Sequence, residues 1–392
     1  MDAETIQRRF MKLNKVLGRI CGIWPYQSFR RKLIMQMLSM GLMSSCTITQ
    51  IARAVLFFDA DDFVNGLPFL VAVIGTFVKT GNYIINDAKL KLMLKQIFDD
   101  WSSIKSEAER DIMVTYSRKG KLISIFYAMH MFLPATTFIS MPFGMYILDI
   151  CSPLNETRTR IYIYPAYYWL DPEEYYLLIL LHTFFSVFMT CVIFCACDTN
   201  YVYAVQHACG LLAITRYRFS KACRSLYVSG GVTDARSLDR IKYRDVCNSV
   251  RSHQRVVQYL KHIEKSHHTY LFISMGMLIT AISVSLFAVA SNDDLTQKIL
   301  HGTFFIAQTF HVFFLSVQGQ FVINGFNDLY YSMYESLWYN STPKTQALYV
   351  LALRSCLNPP LLTAGGMITL NLRSFAEIIK ASVSYYTVMQ ST

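Results

Sequence analysis

A chain of 392 residues could form two or three soluble domains, but 53% of its residues are apolar and only 16% are charged, against about a quarter charged in a soluble domain. The net charge of +11 does not point to nucleic acid, because the basic residues sit between apolar stretches, where they suit membrane headgroups. These features exclude a soluble enzyme or nucleic-acid-binding protein and imply an integral membrane protein.

The cytosolic segment 1–32 is basic (Arg8, Arg9, Lys12, Lys15, Arg19) and lacks the apolar core and cleavage site of a secretory leader. Six stretches reach the roughly 20 mostly apolar residues that a transmembrane helix needs: 33–58, 64–85, 122–148, 175–205, 270–290 and 299–323. Each is apolar on every face, unlike an amphipathic surface helix. Arg53 and Lys79 interrupt the first two and should lie near an end or face protein. The first four spans make up the segment 33–205, and the fifth and sixth make up 270–323.

Between them, 206–269 is long and charged. It reads as helical extensions of spans four and five into the cytosol, broken clearly only at Ser229-Gly230-Gly231. The segment 324–360 contains a helix over 345–357, too short to span, which reads as a packed cytosolic element. The last segment, 361–392, holds a seventh span over 361–389. It follows Pro359-Pro360, has Gly365-Gly366 in its first turns, and carries Arg373, Glu377 and Lys380 along one face. Such charges call either for a watery face or for partners inside a bundle.

Orientation follows from the Lys and Arg count. Segments 1–32, 87–121, 206–269 and 324–360 hold 8, 8, 12 and 2 of the 37, whereas the alternate loops hold 3 in all. The fold class is therefore an all-α membrane protein of seven spans, N-terminus cytosolic and C-terminus extracellular. Asn155-Glu156-Thr157 is a glycosylation sequon in an outer loop, and Asn340-Ser341-Thr342 falls on the inner side. With Cys151 alone in an outer loop, the ten cysteines are expected to be reduced. His262, His267 and His268 lie among lysines that would repel a metal, and no Walker loop, Gly-x-Ser-x-Gly or His-Glu-x-x-His occurs. Neither an enzyme nor a cofactor is expected.

The C-terminal seventy residues resemble the insect odorant receptor family. The match runs through Gln320, Gly325, Tyr334, Trp338, Leu353-Arg354, Pro360-Leu361-Leu362-Thr363-Ala364-Gly365, Leu370 and Phe375, and ends at Ile379-Lys380-Ala381-Ser382-Val383-Ser384-Tyr385-Tyr386-Thr387. Fainter echoes are Leu17-Gly18 with Trp24-Pro25, and the charged stretch 89–101.

The resemblance implies a ligand-gated non-selective cation channel of sensory neurons, in the plasma membrane of the dendrite. It also implies a heterotetramer in which a tuning subunit assembles with a conserved co-receptor. The helix before span seven would belong to the cytosolic anchor. Span seven would line the pore through Glu377, Lys380, Ser384, Tyr385 and Val388, with Val388 in the place of the gate valine. This chain resembles a tuning subunit. Its tail Gln390-Ser391-Thr392, and the charges Glu377 and Lys380 where the co-receptor has small residues, depart from the co-receptor's pattern.

A volatile odorant needs a small apolar pocket with few polar groups, implied to lie in the outer half of spans two to six. Candidates are Val73, Phe77, Thr80, Pro134, Phe138, Tyr176, Ile179, Thr183, Ile282, Phe287, Phe304, Phe305 and Gln308. Aromatic residues abound in these spans, so type alone does not separate ligand contact from helix packing. A seven-helix G-protein-coupled receptor would have an outer N-terminus and an acid-Arg-Tyr triplet after span three. A secondary transporter would show paired repeats. Neither pattern is visible.

Overall fold

The computed structural model describes residues 2–152, 160–224 and 235–391. The sequon at Asn155 and the break at Ser229-Gly230-Gly231 lie outside the described residues. Two short helices, α1 (Ala3–Phe10) and α2 (Lys12–Ile20), precede α3 (Phe29–Leu56), α4 (Ala60–Ile85), α5 (Asp87–Ser103) and α6 (Glu107–Cys151). Then come α7 (Tyr176–Arg224), α8 (Ala235–Ser291), α9 (Leu295–Tyr334), α10 (Pro343–Leu357) and α11 (Leu372–Ser391). Five of these (α4, α6, α7, α8 and α9) are long and apolar enough to cross a membrane. Of the other long helices, α3 carries its charges near its ends (Arg30, Arg31, Lys32 and Arg53), and α11 carries Arg373, Glu377 and Lys380.

Local chemistry sets the helix ends. Asp59 caps α4 by accepting from the Asp62 amide at 3.0 Å, and Asp294 caps α9 from the Thr296 amide at 3.0 Å. Pro343 opens α10, where a missing N–H does no harm. The helix α7 is the central pillar: it packs on α2, α3, α4, α6, α8 and α9, and nearly every side chain from Cys191 to Thr215 is buried. Both α7 and α8 run as unbroken helices well past their apolar stretches.

The N-terminal motif has a packing reason. Gly18 accepts from the amides of Ile23 (2.8 Å) and Trp24 (3.1 Å), which folds the chain back so that Trp24 is fully buried. Beside it, Phe10 stacks on Trp101 of α5, ring centroids 5.8 Å apart.

The seventh span differs from expectation. The helix begins only at Leu372, and the residues before it form an antiparallel hairpin, β1 (Thr363–Ala364) with β2 (Ile368–Thr369). Gly365 and Gly366 are not helical: at φ +66° and +74° they make the turn, a conformation that suits glycine. The hairpin is latched to α8. The Glu264 carboxylate accepts from the Thr363 amide (2.8 Å) and hydroxyl, and the Gly365 amide donates to the His268 carbonyl at 2.9 Å. On the α9 side, Gly319 lets the backbone of Leu370 approach so closely that a Cβ there would lie 1.9 Å from the Leu370 carbonyl oxygen.

Candidate functional site: a cavity with a charged inner end

A cavity of about 130 Å³ lies among α3, α4, α6, α7, α8 and α9. Its wall is aromatic. The ring of Phe69 sits 5.5 Å from Phe138, 5.6 Å from Tyr164 and 5.1 Å from Phe304, centroid to centroid. Tyr164 belongs to the loop before α7, which folds back into the bundle. It is buried, and its hydroxyl lies 3.1 Å from Cys46 Sγ of α3. Pro134 interrupts the hydrogen-bond ladder of α6 at the cavity wall.

Five of the thirteen sequence candidates line this cavity: Val73, Pro134, Phe138, Phe304 and Gln308. The other eight do not. On α4 the lining includes Val71, Gly75 and Lys79 as well as Val73, whereas Phe77 is partly buried and Thr80 is buried, both outside the lining. Phe305 and Phe287 are partly buried, and Ile282 is buried. Tyr176 is anchored under the loop, donating to the Ile161 carbonyl at 2.9 Å, and Ile179 and Thr183 are buried within the first two turns of α7.

The inner end of the cavity is polar. Lys79 and His311 line it, and both belong to a buried chain of contacts. Lys79 Nζ donates to Asp198 Oδ1 at 2.5 Å, and the Tyr127 hydroxyl donates to Asp198 Oδ2 at 2.5 Å. Tyr127 OH lies 2.8 Å from His311 Nδ1. Because the only phenol proton goes to the carboxylate, Nδ1 must carry the hydrogen and donate to the phenol oxygen. Four helices, α4, α6, α7 and α9, are thus tied at one level. Lys79 is interior, as anticipated, whereas Arg53 lies at its span's end and pairs with Asp62. Sequence reading missed Asp198, Tyr127 and His311. The available signal was one lone acid and one lone base in separate apolar spans.

The candidate pore residues lie elsewhere. Ile378 and Ser382 turn α11 inward, with Ser283 Oγ of α8 donating to the Ser382 carbonyl at 2.9 Å. Glu377, Lys380, Ser384, Tyr385 and Val388 are exposed, on a face spaced by helical turns. The helix α8 separates the two regions: Met277 and Ala281 line the cavity, and Ser283 holds α11.

The sequence profile described as 7tm Odorant receptor matches residues 59–383. Odorant receptor 2a of Drosophila melanogaster is 22% identical over 240 residues, and the alignment spans 59% of this chain and 59% of that protein. In fold, the chain is similar to the insect olfactory receptor OR5 from Machilis hrabei in complex with eugenol, with a TM-score of 0.79 at 14% identity over 100% of both chains. A second structure of the same Machilis hrabei receptor gives a TM-score of 0.78 at 14% identity over 99% of both chains. The profile match covers most of a nearly all-helical chain with membrane-length apolar helices, so this multi-pass membrane protein belongs to the insect odorant receptor family, a family of receptors rather than enzymes.

Proposed function

We propose that the chain is a tuning subunit of a ligand-gated, non-selective cation channel. It binds a volatile odorant in the aromatic cavity and assembles with the conserved co-receptor as a heterotetramer in the sensory dendrite's plasma membrane. The observation that carries this reading is α11. One side of it packs on α8 and α9, while Arg373, Glu377, Lys380 and Ser384 are left exposed. A charge at mid-bilayer costs about 2.5–3.5 kcal/mol on insertion scales. Facing a water-filled axis shared with other subunits removes most of that cost, with Val388 as the gate. The preponderance of Lys and Arg in the N-terminal and alternate segments favours a cytosolic N-terminus.

Coupling between the two regions runs through shared helices. The helix α8 borders both, and on α9 Gln308 lines the cavity while Phe313 meets Phe375 of α11 edge-on at 5.5 Å. An odorant that binds more tightly to the arrangement with α11 displaced outward shifts the population toward the open state.

Co-expression with the co-receptor in a non-insect cell tests the proposal. Volatile-evoked cation current that survives G-protein inhibition is expected. Absence of current with any partner, or current that requires G-proteins, favours the receptor alternative. Orientation is read independently with a membrane-impermeant maleimide. Cys151, exposed at the end of α6, should label on intact cells, and labelling only after permeabilisation inverts the topology.

A further inference from the structure

The cavity is apolar nearly all round, yet its inner end holds a lysine. That lysine is almost completely buried, 1% exposed. Helical side chains lean toward the helix N-terminus, so Lys79 leans toward Gly75, one turn earlier on the same face. Gly75 lets the Phe194 ring pack close to α4 beside the lysine: a Cβ there would come within 3.2 Å of Phe194 Cζ. Of the three N–H bonds on the ammonium, one goes to Asp198, and no other oxygen or nitrogen among the described residues accepts from it. Its remaining surface lies 4.8 Å from the Phe194 ring centroid and 5.4 Å from that of Tyr270.

A second donor faces the same space. Gln308 Oε1 accepts from Ser285 Oγ at 3.5 Å, and the amide nitrogen has no protein partner among the described residues. Two donors therefore face a mostly apolar chamber, whose lining also holds the Ser274 hydroxyl and His311 Nε2, both without a hydrogen-bond partner among the described residues, and donors that stay unmet in a low-dielectric site are costly. A ligand oxygen answers them. An alkane leaves them unmet, and an ammonium group would meet the positive charge of Lys79.

We propose that Lys79, assisted by Gln308, is the specificity-determining anchor of the cavity, selecting small apolar molecules that present one acceptor oxygen and rejecting amines. The inference rests on the odorant-gated channel reading and names the ligand class of that same cavity. Asp198 and Tyr127 act as positioning residues, holding the ammonium at the chamber's inner end.

The test uses the full chain co-expressed with the co-receptor. Evoked currents are recorded for a panel of matched pairs, each a methyl ketone and the hydrocarbon with C=CH₂ in place of C=O, together with the amine of the same carbon skeleton. The unmodified channel should respond to ketones at concentrations about ten-fold lower than to their hydrocarbon partners, with amines weakest. The charge-neutral double variant Lys79→Met/Asp198→Asn should raise the half-maximal ketone concentration about ten-fold relative to that of the paired hydrocarbon. Equal sensitivity to both members of the pairs in the unmodified channel overturns the proposal, as does a double variant that weakens both equally. Should the double variant fail to reach the surface, Gln308→Leu decides alongside the unmodified channel: part of the ketone preference is lost if the anchor is real, and none is lost if it is not. Currents without ketone preference defeat this inference alone. No current to any volatile defeats the channel reading, and the inference with it.

Discussion

Two sets of charges sit in helices of membrane length, and they are handled in opposite ways. Lys79 and Asp198 meet in the interior at 2.5 Å, with side chains 1% and 0% exposed, and Tyr127 supplies a further donor. Arg373 and Glu377 of α11 also pair, one turn apart at 3.1 Å, but their side chains are 88% and 61% exposed. The first pair is neutralised within the chain and belongs to its core. The second is presented outward, as a surface completed by something beyond this chain would be. The comparison separates charge used to hold a bundle together from charge used at a boundary, and each use predicts a different response to mutation.

The largest effect should come from breaking the inner pair on one side only. Lys79→Met leaves the Asp198 carboxylate buried without its cation, which should destabilise the fold by about 3–5 kcal/mol. Adding Asp198→Asn should restore most of the loss. Thermal melts of detergent-purified protein read both variants, and a single variant as stable as the parent would mean that the pair contributes no structure.

Next comes the join between the hairpin and the bundle. Gly319→Ala drives a methyl into the Leu370 carbonyl and should cost about 1–3 kcal/mol, as overpacking does. Gly81→Ala, where an added Cβ meets nothing within 4 Å, should be neutral or stabilising. Equal melts for the two variants would sink the close-approach argument. A smaller effect is expected from Glu264→Gln, which weakens the latch on Thr363. Hydrogen-exchange protection of the Thr363 amide should fall about ten-fold, while amides in the middle of α7 stay protected. Unchanged protection at Thr363 would show that the latch does not hold the hairpin.

How much of this could be read from the sequence differs by region for physical reasons. The apolar stretches announced their helices, because a run of about 20 apolar residues has few other fates. Val73, Pro134, Phe138, Phe304 and Gln308 could be picked out as eligible wall residues of the cavity by type and depth. Tyr164 and Cys46 could not, since their meeting depends on a loop that re-enters the bundle from 118 positions away. The hairpin at 363–369 hid inside an apolar run that reads equally well as helix. Adjacent glycines after a proline pair were the local signal of a turn, but the decisive partners, Glu264 and Gly319, lie far away in sequence. Lys79 stood out as an interruption. Asp198 did not, because a single acid in a long apolar span is diluted by its neighbours, and only the packing of α4 on α7 joins the two.

The outer set of charges gives the smallest change in stability and the clearest change in function. Glu377 and Lys380 lie on the exposed side of α11, so their removal creates no cavity and strands no buried partner. Exposed ion pairs also contribute little to folding. Glu377→Lys should therefore melt with the parent protein. If α11 faces the conduction path, the same substitution puts extra positive charge beside passing cations, so it should reduce inward cation current and lower calcium permeability relative to sodium. Lys380→Glu should move both quantities the other way. Reversal potentials under bi-ionic conditions measure this directly in channels containing the co-receptor. The opposite pattern, a collapsed melt with unaltered permeability, would place these charges inside a packed interface and remove α11 from the pore. The inner pair should behave in the reverse manner, since Lys79→Met/Asp198→Asn alters ligand sensitivity while the reversal potential stays where it was.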